Sequence, residues 1–238
     1  MTDLLFFAVF PYVAIVLLLV ISIQRYRRNA YTVSSLSSQF LESKGLFWGS
    51  VPFHFGILTL FAGHLLGLLI PRQVAIWNGA PLRLMVLEVS GLTAGLLTLF
   101  GTLRLMWRRM RSPRLMQVTS PMDRLLYALL LFQIGSGLWI ALGCRWGTAW
   151  YIHTAVPYLR SLFILQPDLK PITGMPLVVR LHMLGAFVLL ALFSFTRLVH
   201  VLVAPIPYLW RHVQLVVWNR RRPRRAPSGN GARAAREA

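Results

Sequence analysis

Apolar positions run in five long blocks along the chain, each bounded by basic residues or proline. Between Asp3 and Arg25 no residue carries a formal charge. A helix from Leu4 to Gln24 would rise about 31 Å, enough to cross a hydrocarbon core of about 30 Å. A second uncharged run extends from Gly45 to Pro71 between Lys44 and Arg72, long enough to span while tilted. The third block opens with Arg83 and Glu88 and is free of charge from Val89 to Leu103. The fourth runs from Leu125 to Cys144, and the fifth from about Pro176, a good first-turn residue, to Ala204 before Pro205. The pattern predicts an all-α membrane protein with five transmembrane helices. An odd number puts the termini on opposite sides. The first block carries Asp3 rather than a basic cluster at its start and lacks a small-residue cleavage pattern before Arg25, so it reads as a retained span rather than a secretory signal.

Composition supports this reading. The 238 residues are 56% hydrophobic and only 13% charged, against about 25% charged in soluble domains. The net charge of +19 would suggest nucleic acid in a soluble chain; in a membrane protein its distribution sets orientation, because basic residues resist translocation. Arg25, Arg27, Arg28 and Lys44 follow the first span. Arg104, Arg108, Arg109, Arg111, Arg114 and Arg124 lie between the third and fourth, and Arg211 with seven further arginines through Arg236 follows the fifth. The other side has only Arg72 and Arg83 in one connection, and Arg145, Arg160, Lys170 and Arg180 in the other. The N-terminus is therefore expected outside and the C-terminus in the cytoplasm. Residues 1–210 form the membrane domain, and residues 211–238 read as a disordered basic tail that meets anionic lipid rather than nucleic acid. The long outer connection, Arg145 to Met175, is expected at the interface, since Trp146 to Leu159 is too short to cross.

Cys144 is the single cysteine, which excludes an internal disulfide, a C-x-x-C-H haem attachment and a cysteine-held cluster or zinc site. Any metal must be held by nitrogen or oxygen. Four of the six histidines fall inside spans: His54 and His64 in the second, His182 and His200 in the fifth. The two spans run in opposite directions, so His54 and His200 share a cytoplasmic depth while His64 and His182 share an outer one. Neutral imidazole is a common iron ligand, and haem takes one axial ligand on each face. Two such pairs could clamp two haems. On ideal helices His182 and His200 are about 27 Å apart on one face, whereas His54 and His64 are about 15 Å apart and about 80° out of line. Tilt and side-chain reach would have to absorb that mismatch. A lone histidine in a span is more often a hydrogen-bonded polar group; four in matched pairs without matching buried acids argue against that explanation.

Gly56, Gly63, Gly67 and Gly185 would remove bulk near the ligands, although ordinary small-residue helix packing explains them equally well. Arg197 lies three residues before His200 and could pair with a haem propionate or snorkel to the headgroups. His153 and His212 read as surface or interfacial groups.

The stretch His54-Phe-Gly-Ile-Leu-Thr-Leu-Phe-Ala-Gly-His64, the Arg180-Leu-His182 triplet, Phe195-Thr-Arg197-Leu-Val-His200 and Pro205-Ile-Pro-Tyr208-Leu resemble the gamma subunit of bacterial membrane-bound respiratory nitrate reductase. So do the segment from Ser37 to Gly45 and Arg108-Arg-Met-Arg-Ser-Pro113-Arg. The resemblance runs from about Phe10 to Leu215. It implies a multi-pass cytochrome b of the bacterial cytoplasmic membrane with two haems b, His54 and His200 on the cytoplasmic haem and His64 and His182 on the outer. It also implies oxidation of a quinol, menaquinol or ubiquinol, near the outer face. Electrons would pass to an iron-sulfur beta subunit and a molybdenum-cofactor alpha subunit that reduces nitrate on the cytoplasmic side.

Quinol oxidation needs a polar group near the outer haem edge. Arg83 is the candidate, with Gly63 and His64 beside the outer haem, the alternative being a topological or lipid-contacting arginine. Glu88 could relay protons outward or pair with Arg83. Two rival readings remain: a cytochrome b anchor of another quinone-linked complex, for sulfur or formate metabolism, and a non-redox anchor or transporter whose histidines pack or bind protons.

Overall fold

The computed structural model describes residues 2–33, 45–144 and 147–202. Among these no strand occurs. Five helices are long and apolar enough to cross a membrane: Thr2–Arg28, Leu46–Leu69, Pro81–Arg111, Pro121–Gly143 and Leu177–Phe195, here spans one to five. The expected tail, His212 and the Pro205–Leu209 motif lie outside the described residues, as does most of the Ser37–Gly45 segment.

Proline fixes several starts. Pro81 and Pro121 occupy first-turn positions, where no intrahelical donor is lost. Span four adds a capping box: the Ser120 hydroxyl accepts from the Asp123 N–H at 3.1 Å, and the Asp123 carboxylate accepts from the Ser120 N–H at 3.0 Å.

Each span packs on its sequence neighbour from two to five, and span one packs on span five. The tightest seam joins two and three. A methyl group at Gly56 would collide with the Ala94 carbonyl and the Thr98 backbone, and one at Gly101 with the Phe53 backbone. Only the absence of side chains lets the helices approach so closely. Spans one and five run parallel: Arg180 pairs with Asp3 at one end, and Ser22 meets Ser194 at 2.6 Å at the other. The first end is called the N-face. The other, which carries Arg25, Arg109 and Arg124, is the basic face.

Two cores hold the bundle. One lies at the N-face, where a helical run through residues 147–163 and a turn at Lys170–Thr173 pack on the start of span one. It gathers Phe7, Ala155, Tyr158, Leu162, Ile172 and Met175. Tyr158 is fully buried and donates to the Phe7 carbonyl at 2.7 Å; Tyr12 donates to the Leu162 carbonyl at 3.0 Å. Among the described residues the long connection therefore adds no sixth span, and it packs into a buried core at the N-face. The second core, Leu126, Leu130 and Ile134 of span four, sits between Leu99, Leu189 and Leu198.

Span five corrects the expected continuous helix to Ala204. Regular helix ends at Leu192, a tight 3-10 turn covers Phe193–Phe195, and Thr196 is extended (φ −107°, ψ −177°) before a second 3-10 turn, Arg197–Leu202. The physical reason lies in span one. Ser194 donates to the Leu18 carbonyl at 3.0 Å, and the Arg25 guanidinium takes the Ser194 carbonyl at 2.6 Å and the Thr196 carbonyl at 3.3 Å. A cation thus satisfies helix-end carbonyls that lack intrahelical partners. The Thr196 hydroxyl oxygen then accepts from the Leu198 N–H at 3.3 Å, starting the next turn.

Candidate functional site

Span two, span five and the turn that follows it carry the histidines, and spans two and five share no extended packing interface. Only 11% of the most apolar window of span two is buried, and both His54 and His64 stand exposed on it. An imidazole on an apolar span facing no protein needs a partner.

At the basic face the partner of His54 is His200. Their ring centroids lie 6.4 Å apart at an interplanar angle of 74°. An iron held between two imidazoles at about 2 Å per metal–nitrogen bond needs ring centroids about 6 Å apart. The His54 Nδ1 donates to the Ser50 carbonyl at 2.7 Å, and the His200 Nδ1 to the Arg197 carbonyl at 2.5 Å. Such bonds fix the tautomer and leave Nε2 with a free lone pair, as a second-shell partner of a metal-bound histidine does. His200 sits on the separate turn Arg197–Leu202 rather than on the regular helix that carries His182.

At the N-face the rings of His64 and His182 each have their own partners. The His64 Nδ1 donates to the Leu60 carbonyl at 2.8 Å, and its ring meets Tyr151 edge-on at 5.1 Å. The Tyr151 hydroxyl donates to the His64 carbonyl at 2.7 Å. Burial pushes its phenol up to about 12. His182 lies against Gly137 of span four; its Nδ1 is 2.9 Å from the Ser136 hydroxyl, and the Gln133 amide approaches its Nε2 at 3.2 Å. The same amide donates to the His182 carbonyl at 3.0 Å, while the buried Gln133 Oε1 has no partner.

The glycines divide. Gly63 is exposed and has nothing within 4 Å of an added Cβ. Gly56 is filled by span three, Gly67 by the Tyr151 ring, and Gly185 by Gln133 and Phe132. Small-residue packing accounts for those three. Tyr151, Gln133 and Ser136 were not singled out in the sequence; their signal, polar groups at the depth of a histidine pair, is visible only once the spans are aligned.

A buried carboxylate, Asp123, 6% exposed, stands opposite Arg197. Arg197 donates to it twice, Nε to Oδ1 at 2.5 Å and Nη2 to Oδ2 at 2.9 Å. Among the described residues a carboxylate facing Arg197 is thus that of Asp123. Arg109 approaches the same group at 3.8 Å.

Arg83 is exposed with its guanidinium over Trp77, 5.3 Å from the ring centre. Among the described residues no hydrogen bond or ion pair joins it to Glu88, which instead accepts from the Thr148 N–H at 2.8 Å and hydroxyl at 2.7 Å. Glu88 therefore anchors the first turn of the helical run that carries Tyr151. His153 is exposed, as expected.

Residues 3–219 match the nitrate reductase gamma subunit family. The respiratory nitrate reductase 2 gamma chain of Escherichia coli is 32% identical over 90% of this chain and 96% of its own length, and the nitrate reductase gamma chain of Bacillus subtilis is 32% identical over 93% and 100%. The nitrate reductase-like protein NarX of Mycobacterium tuberculosis is 38% identical over 87% of this chain, which spans only 32% of that longer protein.

Proposed function

Because the chain belongs to the nitrate reductase gamma subunit family, we propose that it is the quinol-oxidising dihaem cytochrome b subunit of a respiratory nitrate reductase. It would deliver electrons to an iron-sulfur subunit and a molybdenum subunit. The facing of His54 and His200, with both Nδ1 atoms tied to carbonyls, carries the reading. His54 and His200 would hold one haem b at the basic face, and His64 and His182 another at the N-face. When bound, such haems supply one-electron carriers at two depths.

The protein's own groups do the rest. Gly63 leaves room beside His64, and Tyr151 fixes the His64 backbone. Arg83 would present a charged donor to a quinol oxygen at the N-face, and Glu88 holds the adjoining helix in place. A quinol gives up two electrons and two protons; protons released at the N-face while electrons cross toward the basic face move charge across the membrane. That movement is worth about 2.3 kcal/mol per charge per 100 mV for a full crossing.

Redox titration of membranes containing the complex tests the proposal. Two low-spin b-type signals that a quinol reduces are expected. Membranes in which the chain carries no haem would point to a non-redox anchor.

A further inference from the structure

The geometry points to Asp123 as the positioning residue for His200, acting through Arg197; this rests on the proposed role of His200 as an inner haem ligand. Span five stops before that ligand. With Thr196 extended, the turn Arg197–Leu202 is not held in line by a continuous helix, so another contact must set where His200 stands. The His200 imidazole donates to the carbonyl of Arg197 at 2.5 Å, and the guanidinium of that same residue is forked onto Asp123 at 2.5 and 2.9 Å. Two parallel bonds fix direction as well as distance, which a single contact cannot do.

Asp123 is itself immobilised. It is the third residue of span four, locked by the reciprocal bonds with Ser120, and Arg109 stands 3.8 Å away. One carboxylate therefore connects the start of span four, the end of span three and the turn carrying the ligand. Removing a partner from a buried pair leaves an uncompensated charge, which is far costlier than losing an exposed contact. Here that charge would be a guanidinium beside the inner site. A haem iron gains one positive charge on oxidation, so an unbalanced cation nearby favours the reduced form.

The test uses the full complex with Asp123→Asn, Asp123→Ala and Asp123→Glu, read by haem content, optical redox titration and electron paramagnetic resonance. The N-face haem serves as the internal reference. Asp123→Asn should retain both haems while raising the inner midpoint potential alone and changing the inner low-spin signature. Asp123→Ala should lower inner haem occupancy severalfold, and Asp123→Glu should restore wild-type behaviour. An inner haem unchanged in potential, signature and occupancy in both Asn and Ala variants would overturn the inference. So would equal loss of both haems, since the pair would then be a general folding element. A wild-type complex without two b haems would overturn the functional reading and this inference together.

Discussion

At the basic face, His54 and His200 meet with their Nδ1 atoms tied to backbone carbonyls and their rings at a spacing that suits an iron. At the N-face, the Nε2 of His182 already faces the Gln133 amide, and the ring of His64 lies against Tyr151. At the basic face both Nδ1 atoms rest on backbone carbonyls beside a buried ion pair, whereas at the N-face only His64 does so and His182 has side-chain partners, Ser136 and Gln133. Binding iron at the outer site would exchange the Gln133 contact for a metal bond; the inner site needs no comparable exchange.

The glycines sharpen the contrast most strongly. Gly56→Leu should abolish assembly and both haems, because the added side chain drives into the span-three backbone. Gly63→Leu should leave the fold and inner haem intact and remove the outer haem, since its surroundings are open. Haem content of purified complexes checks both. Equal outcomes for the two variants would mean that Gly63 does not border the outer site.

The spans and the four histidines were legible because bilayer length and the cost of intramembrane polar groups act locally on the sequence. The break in span five was not. Apolar residues continue across Thr196, and what stops the helix is Arg25 and Ser22, more than 160 residues earlier. Arg25 had read as a topological charge. The partner of Arg197 could have been found: Ser120 and Asp123, three apart ahead of an apolar run, form a capping-box pattern, but its link to span five depends on how the bundle closes. Tyr151 and Gln133 meet their histidines across 87 and 49 residues, and no periodicity reports such contacts.

Arg83→Ala should slow haem reduction by quinol about tenfold to a hundredfold, the loss of a charged hydrogen bond of about 1.5 to 3 kcal/mol, with both haem spectra unchanged. Stopped-flow mixing with quinol, beside nitrate reduction driven by a small dye that enters at the inner site, separates substrate orientation from misassembly. Unchanged quinol kinetics would leave Arg83 as a topological arginine over Trp77.

Tyr151→Phe should have the smallest effect. It loses one neutral hydrogen bond, about 0.5 to 1.5 kcal/mol, while keeping the ring against His64 and Gly67. A modest change in the outer haem signature, with the inner one constant, is expected. A change confined to the inner haem would contradict the assignment of Tyr151 to the outer pair.

The pairing itself is tested most directly by haem counts in double variants. His54→Ala with His200→Ala should lose one haem, no more than either single variant, because both residues serve one iron. His54→Ala with His182→Ala should lose two. If instead His54 and His182 together cost only one haem while His54 and His200 cost both, the two sites would not lie at separate depths between spans two and five, and the account would fail.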